Sequence, residues 1–270
     1  MRINALFVEK ILTGFIRGEL AKRGFKKGIL GLSGGLDSAV CAVLAARALG
    51  PKNTIALIMP YGRGFGPDLE DARDTARRLK IDARMIDIAP MVDAYFKRHP
   101  SGDLLLKGNK MARERMSILY DWSAREKALI LGTSNKSELL IGYGTIHGDL
   151  ACAVNPLGDL YKTQVRELAL HLGLPERIRT KAPTAGLWAG QTDEEEIGLT
   201  YDVLDEILEL LVEGRETAAE VAARGFPKKQ VEKITGLIRR SEFKRQMPPI
   251  VKLSHRTIGH DFLYPLERGR

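Results

Sequence analysis

The chain has 270 residues, of which 44% are hydrophobic and 28% charged, a composition typical of a globular protein. No apolar run reaches the roughly 20 residues that span a bilayer, and Glu9, Lys10 and Arg17 interrupt the first apolar stretch, so we expect neither a membrane protein nor a signal peptide. The net charge of +8 fits a solvated basic surface or phosphate-bearing substrates, while the 6% aromatic content argues against a stacking surface for nucleic acid.

The two cysteines, Cys41 and Cys152, form neither a CxxC pair nor a metal-binding spacing. We expect them to be small buried thiols in a reducing compartment, the cytoplasm, rather than a disulfide. Because the aromatic content is low and no apolar run is long enough to span a bilayer, the expected partners are small molecules, with no nucleic acid and no membrane.

The first half of the chain alternates between strand and helix patterns. Short apolar runs predict buried strands, and the segments between them have helical spacing. In chain order, the predicted elements are a helix at 4–23, a strand at Lys27–Leu32, a helix at Ser38–Leu49, a strand at 53–60, a helix at Pro67–Lys80, a strand at 82–89, a helix at 107–126 and a strand at 126–134. This order predicts an α/β fold, a doubly wound parallel sheet with helices on both faces, whose strand C-termini form the ligand-binding edge.

The chain from about residue 160 onward is predicted to be mainly helical, as one part of a single domain over residues 1–270. The predicted helices are Lys162–Leu172, Glu194–Leu211, Thr217–Ala223 and Pro227–Gln246. Segments with a loop-like composition are Tyr61–Gly66, Pro100–Asn109 and Ala185–Thr192. The last 20 residues are expected to be irregular.

A glycine-containing loop lies directly between the first predicted strand and its helix, and it carries the strongest functional signal. The loop reads Gly31, Leu32, Ser33, Gly34, Gly35, Leu36, Asp37 and Ser38. Two glycines let backbone N–H groups close around an anion, and the next helix adds its N-terminal dipole. Asp37 would repel a phosphate unless it holds Mg²⁺. The alternative interpretation is a plain glycine turn with a helix cap.

The sequence GLSGGLDS at this loop resembles the pyrophosphate-binding loop of the ATP pyrophosphatases, whose fold is of the adenine nucleotide alpha hydrolase type. That group includes NAD synthetase, GMP synthetase and several tRNA-modifying enzymes. The resemblance implies binding of the β- and γ-phosphates of ATP and release of pyrophosphate, without specifying the second substrate. The GxxxxGK[ST] and GxGxxG patterns of other nucleotide sites are absent from the chain.

Further segments are similar to the NAD synthetase family. In Arg113-Glu114-Arg115-Met116, the resemblance implies that Arg113 contacts deamido-NAD, although a surface helix is the plain alternative. In the segment 132–138, which follows the fourth strand, Thr133 would bind ATP and Glu138 would be a second Mg²⁺ ligand with Asp37. A local capping role is the alternative for Glu138.

Two more segments resemble the family near the start of the helical part. Lys162 begins a predicted helix, where the helix dipole disfavours a cation, and the resemblance assigns this lysine to ATP phosphate as a catalytic residue with Asp37. Thr184, in the segment that begins at Lys181, is likewise assigned to ATP. The segment then continues through Trp188 and Gly190 to a GQTDE stretch, where Thr192 is also a candidate cap for the next helix.

The family resemblance implies an ATP-dependent ligase that forms a C–N bond. The carboxylate of deamido-NAD would attack the α-phosphorus of ATP, pyrophosphate would leave, and ammonia would convert the adenylate to NAD and AMP. Mg²⁺ is the implied cofactor. The resemblance also implies a homodimer, with free ammonia or a separate glutaminase as the nitrogen source.

The chain departs from the family pattern at the nicotinate end of the substrate. Ile146 replaces a substrate-contacting lysine, Ala153 stands where an aspartate is common, and Phe243 replaces the histidine of a His-Lys-Arg segment. Lys244 retains the lysine of that segment and is expected to bind deamido-NAD.

Two other functions remain open at the level of sequence. One is a tRNA-modifying ATP pyrophosphatase, which the basic charge allows but the cysteine pattern does not favour. The other is a non-catalytic adenine-nucleotide sensor, which would bind ATP without releasing pyrophosphate.

Overall fold

The computed structural model describes residues 2–62, 66–184, 186 and 191–261. Its centre is a parallel sheet in the order β3-β2-β1-β4. The strands are β1 Lys27–Gly31, β2 Thr54–Ile58, β3 Asp82–Met85 and β4 Ala128–Ile130. Gly28 on β1 pairs with Thr54 on one side and Leu129 on the other. The predicted parallel α/β sheet is therefore confirmed, with each strand shorter than its apolar run.

The described helices surround this sheet and continue into the C-terminal part. In chain order they are α1 Ala5–Lys22, α2 Leu36–Leu49, α3 Pro67–Leu79, α4 Ala89–Arg98, α5 Leu104–Glu126, α6 Lys136–Ile141, α7 Lys162–His171, α8 Glu176–Arg179, α9 Asp193–Ile197, α10 Tyr201–Val212, α11 Ala218–Ala223 and α12 Lys228–Arg240. Within the described ranges, no helix is both long and apolar enough to cross a bilayer.

Alternating residues of the strands bury the two faces of the sheet. Leu30 and Ala56 face a core shared with α1, α2 and α7. Ile29, Ile55 and Leu57 face a second core against α4 and α5. Because successive strand residues point to opposite faces, an apolar run with both kinds of position buried makes a sheet covered by helices on both sides.

A third core holds the helical C-terminal part together. It joins α6 to α10, α11 and α12 through buried side chains, including those of Ile141, Tyr201, Leu204 and Ile234. This packing places the starts of α6 and α7 beside the carboxyl edge of the sheet.

Several predicted boundaries were wrong. The predicted strand at 82–89 ends at Met85, and α4 begins at Ala89, with a proline in its first turn. Pro100–Asn109 is not a loop throughout, because the Asp103 carboxylate accepts hydrogen bonds from the Leu105 and Leu106 N–H groups and starts α5 at Leu104.

The predicted helix at Glu194–Leu211 is two helices. Gly198 has a φ of 77° and ends α9, and α10 begins at Tyr201. The last predicted helix ends at Arg240 rather than Gln246, and a single 3₁₀ turn, Glu242–Arg245, follows it.

Candidate functional site

The glycine-containing loop lies at the carboxyl end of β1, as predicted, and α2 already begins inside it at Leu36. The Ser33 and Ser38 hydroxyls lie 3.0 Å apart, and Ser38 Oγ accepts a hydrogen bond from the Ser33 N–H at 3.2 Å. Gly35 N–H donates to Ser33 Oγ at 3.2 Å. The two serines thus brace the loop internally. Gly35, the residue before α2, has no side chain, so no side chain of this residue caps the first N–H groups of α2. Leu36, Asp37 and Ser38, the first residues of α2, line the cavity described below.

Gly34 is required by a close approach of two backbones. Its φ is 85°, and a β-carbon added there would lie 2.0 Å from the Asp68 carbonyl oxygen at the start of α3. Lys181 Nζ connects the same elements, since it donates to the Gly34 carbonyl at 3.2 Å and to the Asp68 carboxylate at 2.7 Å, and it also contacts Asp71. Sequence reasoning did not assign this role to Lys181.

The structure brings together Asp37, Glu138 and Lys162. Lys162 is 3% exposed, and its Nζ donates to Asp37 Oδ2 and, at 3.3 Å, to Glu138 Oε1. Asn135, which the sequence did not single out, donates from Nδ2 to Asp37 Oδ1 at 3.0 Å. The predicted capping role of Glu138 is also present, because its side chain accepts from Asn135 N–H at 3.2 Å. Both interpretations of Glu138 are therefore compatible with one geometry.

The charges of this cluster depend on one another. Burial raises the pKa of Glu138, the Lys162 charge opposes that rise, and the Asp37 carboxylate adds to it, so the pKa lies above its usual value. Burial alone would lower the pKa of Lys162, but the Asp37 and Glu138 carboxylates outweigh it and hold the pKa above its usual value. Lys162 is therefore an ammonium ion at neutral pH.

A third carboxylate, Asp193, lies near this cluster and was not assigned a site role from the sequence. It is 3% exposed and accepts hydrogen bonds from the Tyr143 and Tyr201 hydroxyls at 3.0 and 3.3 Å. Lys162 Nζ lies 5.1 Å from the centroid of the Tyr201 ring. The neighbouring Thr192 accepts from Glu195 N–H at 3.4 Å, which confirms its predicted cap.

These groups border one cavity of about 830 Å³ at the carboxyl edge of the sheet. The predicted site residues that line it are Gly31, Leu32, Ser33, Gly35, Leu36, Asp37, Ser38, Thr133, Glu138, Lys162, Thr184 and Lys244. Trp188 and Gly190, noted in the sequence, lie outside the described residues.

Arg115 rather than Arg113 lines the cavity wall. Arg113 is exposed and donates from Nε to the Ile146 carbonyl at 3.2 Å. Arg115 is half-buried and donates from Nε to the Met59 carbonyl at 3.0 Å. On a helix, residues two positions apart face in different directions, and a sequence motif does not show which of them faces the cavity.

Lys244 also reaches the cavity, where its Nζ donates to the Gly142 and Gly144 carbonyls at 2.8 Å each. Burial lowers the pKa of Lys244, the nearby Asp149 carboxylate opposes this effect, and the Arg113 charge adds to it. Of the departures from the family pattern, Ile146 contributes its carbonyl to Arg113, Ala153 is exposed, and the Phe243 side chain is 60% exposed.

The cysteines lie beneath the site as free thiols. Cys41 is fully buried, and its Sγ donates to the Gly132 carbonyl at 3.4 Å. Burial raises the pKa of Cys41 to about 12, so it is an unreactive core residue, in agreement with the prediction. Cys152 is only half-buried, so the prediction of a buried thiol was wrong for it.

Comparisons with known proteins identify the family to which this chain is similar. The model of the NAD synthase family matches residues 8–248. The NH(3)-dependent NAD(+) synthetase of Trichlorobacter lovleyi is 49% identical over 271 residues, covering 100% of this chain and 99% of that protein.

Two solved structures share the fold. An NH3-dependent NAD synthetase from Campylobacter jejuni superposes with a TM-score of 0.80 and 35% identity, covering 93% of this chain and 100% of that one. An NMN synthetase from Francisella tularensis superposes with a TM-score of 0.82 and 33% identity, covering 93% and 99%.

Proposed function

This chain belongs to the NAD synthase family, and we propose that its cavity catalyses the ATP-dependent amidation of deamido-NAD to NAD, with AMP and pyrophosphate as the other products. The reaction is that of a ligase forming a carbon–nitrogen bond, with ammonia as the nitrogen donor. One observation carries the proposal: the anion-binding loop at the start of α2 and the buried Lys162 ammonium border the same cavity.

The ATP polyphosphate fits the loop between Ser33 and Ser38. The α2 N-terminus offers backbone N–H groups and the positive end of a helix dipole to the leaving pyrophosphate. Lys162 is a buried cation that lines the same cavity, and Thr133 and Thr184 also line it.

Asp37 and Glu138 fit Mg²⁺. Both present a carboxylate oxygen to the same Lys162 ammonium, and Mg²⁺ in nucleotide sites is usually held by one or two carboxylates together with substrate phosphates. The ion, when bound, neutralises charge on the triphosphate. The acid pair would then be shared between the ion and Lys162.

Three cations support the binding of deamido-NAD. Within the described ranges, Arg113, Arg115 and Lys244 each donate to backbone carbonyls and form no ion pair with a carboxylate within 4.0 Å. Arg115 and Lys244 are half-buried, and such a cation that forms no ion pair is available for a substrate phosphate. The diphosphate of a dinucleotide would supply that charge.

The chain's own residues contribute positioning and electrostatics rather than a nucleophile. The substrate carboxylate forms a bond to the α-phosphorus as the bond to the β-phosphate oxygen breaks. The loop N–H groups hold the departing pyrophosphate, and Lys162 stabilises the charge that develops on the phosphate oxygens. Ammonia then attacks the acyl carbon, AMP leaves, and a proton is lost from the nitrogen.

The decisive experiment incubates the protein with Mg-ATP, deamido-NAD and ammonium, and quantifies NAD and AMP. We expect equal amounts of the two products. ATP binding without AMP formation would instead identify a nucleotide sensor, and AMP formation that requires tRNA would identify a tRNA-modifying enzyme.

We also propose the finer features that the family resemblance implies. These are a homodimer in the cytoplasm that uses free ammonia, with a separate glutaminase as a further source. Sedimentation equilibrium measures the oligomeric state. Comparison of glutamine with ammonium, using the purified chain alone, tests whether a partner is needed for glutamine.

Nicotinate mononucleotide is a second candidate substrate. The observation that favours it is the TM-score of 0.82 to an NMN synthetase, together with Ile146 in place of a substrate-contacting lysine. Measured side by side, kcat/KM for the mononucleotide and for the dinucleotide assigns the substrate. We expect the dinucleotide to be preferred, because Arg113, Arg115 and Lys244 provide charge for more than one phosphate.

A further inference from the structure

Asp205 is a fully buried carboxylate on α10 with two hydrogen-bond donors from other helices. Its Oδ1 accepts from the Ser137 hydroxyl, and its Oδ2 accepts from the Thr163 N–H at 2.8 Å. A buried carboxylate is costly unless it is hydrogen-bonded in this way. The described residues that line the cavity do not include Asp205, so it has no direct access to substrate.

The contacts of Asp205 connect it to the start of α7, which carries Lys162, and to the residue beside Glu138 on α6. Ser137, which donates to Asp205, also accepts from the Lys162 N–H at 2.9 Å. Lys162 and Thr163 are the first two residues of α7, and both of their N–H groups are therefore held by Ser137 and Asp205. Ser137 is followed directly by Glu138 on α6.

This arrangement explains how a buried cation is tolerated at a helix N-terminus. The positive end of the α7 dipole and the Lys162 ammonium would otherwise repel. A carboxylate at the first turn of α7 offsets that repulsion. The same carboxylate accepts from the Thr163 N–H in the first turn of α7, from which the Lys162 side chain extends.

We propose that Asp205 is a positioning residue that acts through Lys162. It joins the starts of α6 and α7 so that the Lys162 ammonium lies between Asp37 and Glu138. The inference rests on the proposed function in one respect only, that Lys162 meets the phosphates of ATP.

The test is a double-mutant cycle on Mg-ATP affinity, measured by isothermal titration calorimetry. Asp205→Ala should weaken ATP binding about tenfold, since small displacements of a charged group are costly. Asp205→Asn, which keeps an acceptor for Thr163 N–H, should recover part of the affinity. In a Lys162→Met background, Asp205→Ala should change the affinity by less than about twofold, because the residue through which it acts is gone.

Thr54→Val is the matched control. Thr54 is also fully buried and donates from Oγ1 to the Gly50 carbonyl at 3.1 Å. It lies at the start of β2, however, at the amino-terminal ends of the strands and away from the cavity. The Thr54→Val substitution should lower the melting temperature of the protein and leave its affinity for ATP unchanged. An equal loss of affinity in Thr54→Val and Asp205→Ala would overturn the proposal, because it would show a general effect of destabilisation.

Equal losses from Asp205→Ala in the wild-type and Lys162→Met backgrounds would also overturn it, as would unchanged affinity in a folded Asp205→Ala protein. If Asp205→Ala does not fold, Asp205→Asn and Ser137→Ala carry the same cycle. Because the measurement is ATP binding, wild-type protein that binds Mg-ATP but forms no NAD contradicts the proposed function alone. A coupling between Asp205 and Lys162 would still confirm the positioning role.

Discussion

Gly34 lies so close to Asp68 that a β-carbon on the glycine would come within 2.0 Å of the Asp68 carbonyl oxygen. This contact packs the glycine-containing loop against the start of α3. The φ of 85° at Gly34 adds a second restriction, since that region of backbone space disfavours any residue with a β-carbon.

Gly34→Ala should therefore displace the loop, destabilise the protein by about 2 kcal/mol or more, and abolish measurable ATP binding. Thermal denaturation and calorimetry measure the two effects. Gly18→Ala is the matched control, because no atom beyond the local backbone of α1 and the adjacent residues lies within 4 Å of its added β-carbon, and alanine favours the helix. Retention of ATP binding in Gly34→Ala would show that the loop tolerates movement away from Asp68.

Asp37→Asn and Glu138→Gln should each reduce AMP formation by at least about a hundredfold, as expected for removal of a charged group that acts at the reacting phosphates. Glu138→Gln should cost little stability, because burial already raises the pKa of this carboxyl and the amide oxygen can still accept from Asn135 N–H. Circular dichroism checks the fold, and initial rates over a range of Mg²⁺ concentrations check the activity. Near-normal turnover in both variants would remove the assignment of a metal to these two acids.

Arg115→Met should raise the Kd of one of the two nucleotide substrates about tenfold, since a cation that contacts phosphate typically contributes this much. Arg113→Met, two residues away and exposed, should have the smaller effect. Titration of each variant with ATP and with deamido-NAD separately shows which substrate is affected. A larger effect of Arg113→Met would place a substrate phosphate outside the cavity that Arg115 lines.

The ion-paired Asp71 carboxylate makes the free energy of unfolding depend on pH. Burial alone would raise the pKa of its carboxyl, but hydrogen bonds from Lys181 and Arg177 outweigh that effect and lower it. A folded-state pKa below the unfolded value of about 3.9 gives stability that is complete above that value and is lost as the pH falls through the folded-state pKa.

Asp71→Asn should thus lower the free energy of unfolding by about 2 kcal/mol at pH 7, and the difference from wild type should shrink below about pH 4. Urea denaturation at several pH values measures it. Asp121→Asn, which removes an exposed ion pair with Arg125 on α5, should show little change at any pH. A difference between wild type and Asp71→Asn that persists unchanged at pH 3 would contradict the ion-pair explanation.

Local features of the sequence were sufficient to predict the parallel sheet and the place of the glycine-containing loop between β1 and α2. The strands bury both faces and therefore appear in the sequence as apolar runs, and the glycine-containing turn at 33–38 stands directly between a strand pattern and a helix pattern. Predictions failed where local patterns compete, as at Gly198, where a helix-compatible composition continues through a residue with a φ of 77°. They also failed at Asp103, whose capping hydrogen bonds start a helix inside a loop-like segment.

The sequence by itself determined the strand–loop–helix unit and the identity of Asp37, Glu138 and Lys162 as candidate site residues. Only the tertiary structure placed the Lys162 ammonium between the two carboxylates, because Asp37 and Lys162 are 125 positions apart and no local spacing relates them. The choice of Arg115 over Arg113 as a cavity residue and the connection from Asp205 to Lys162 likewise depend on which helix faces meet. Packing between helices and strands determines which faces meet, and a single sequence does not show which elements pack together.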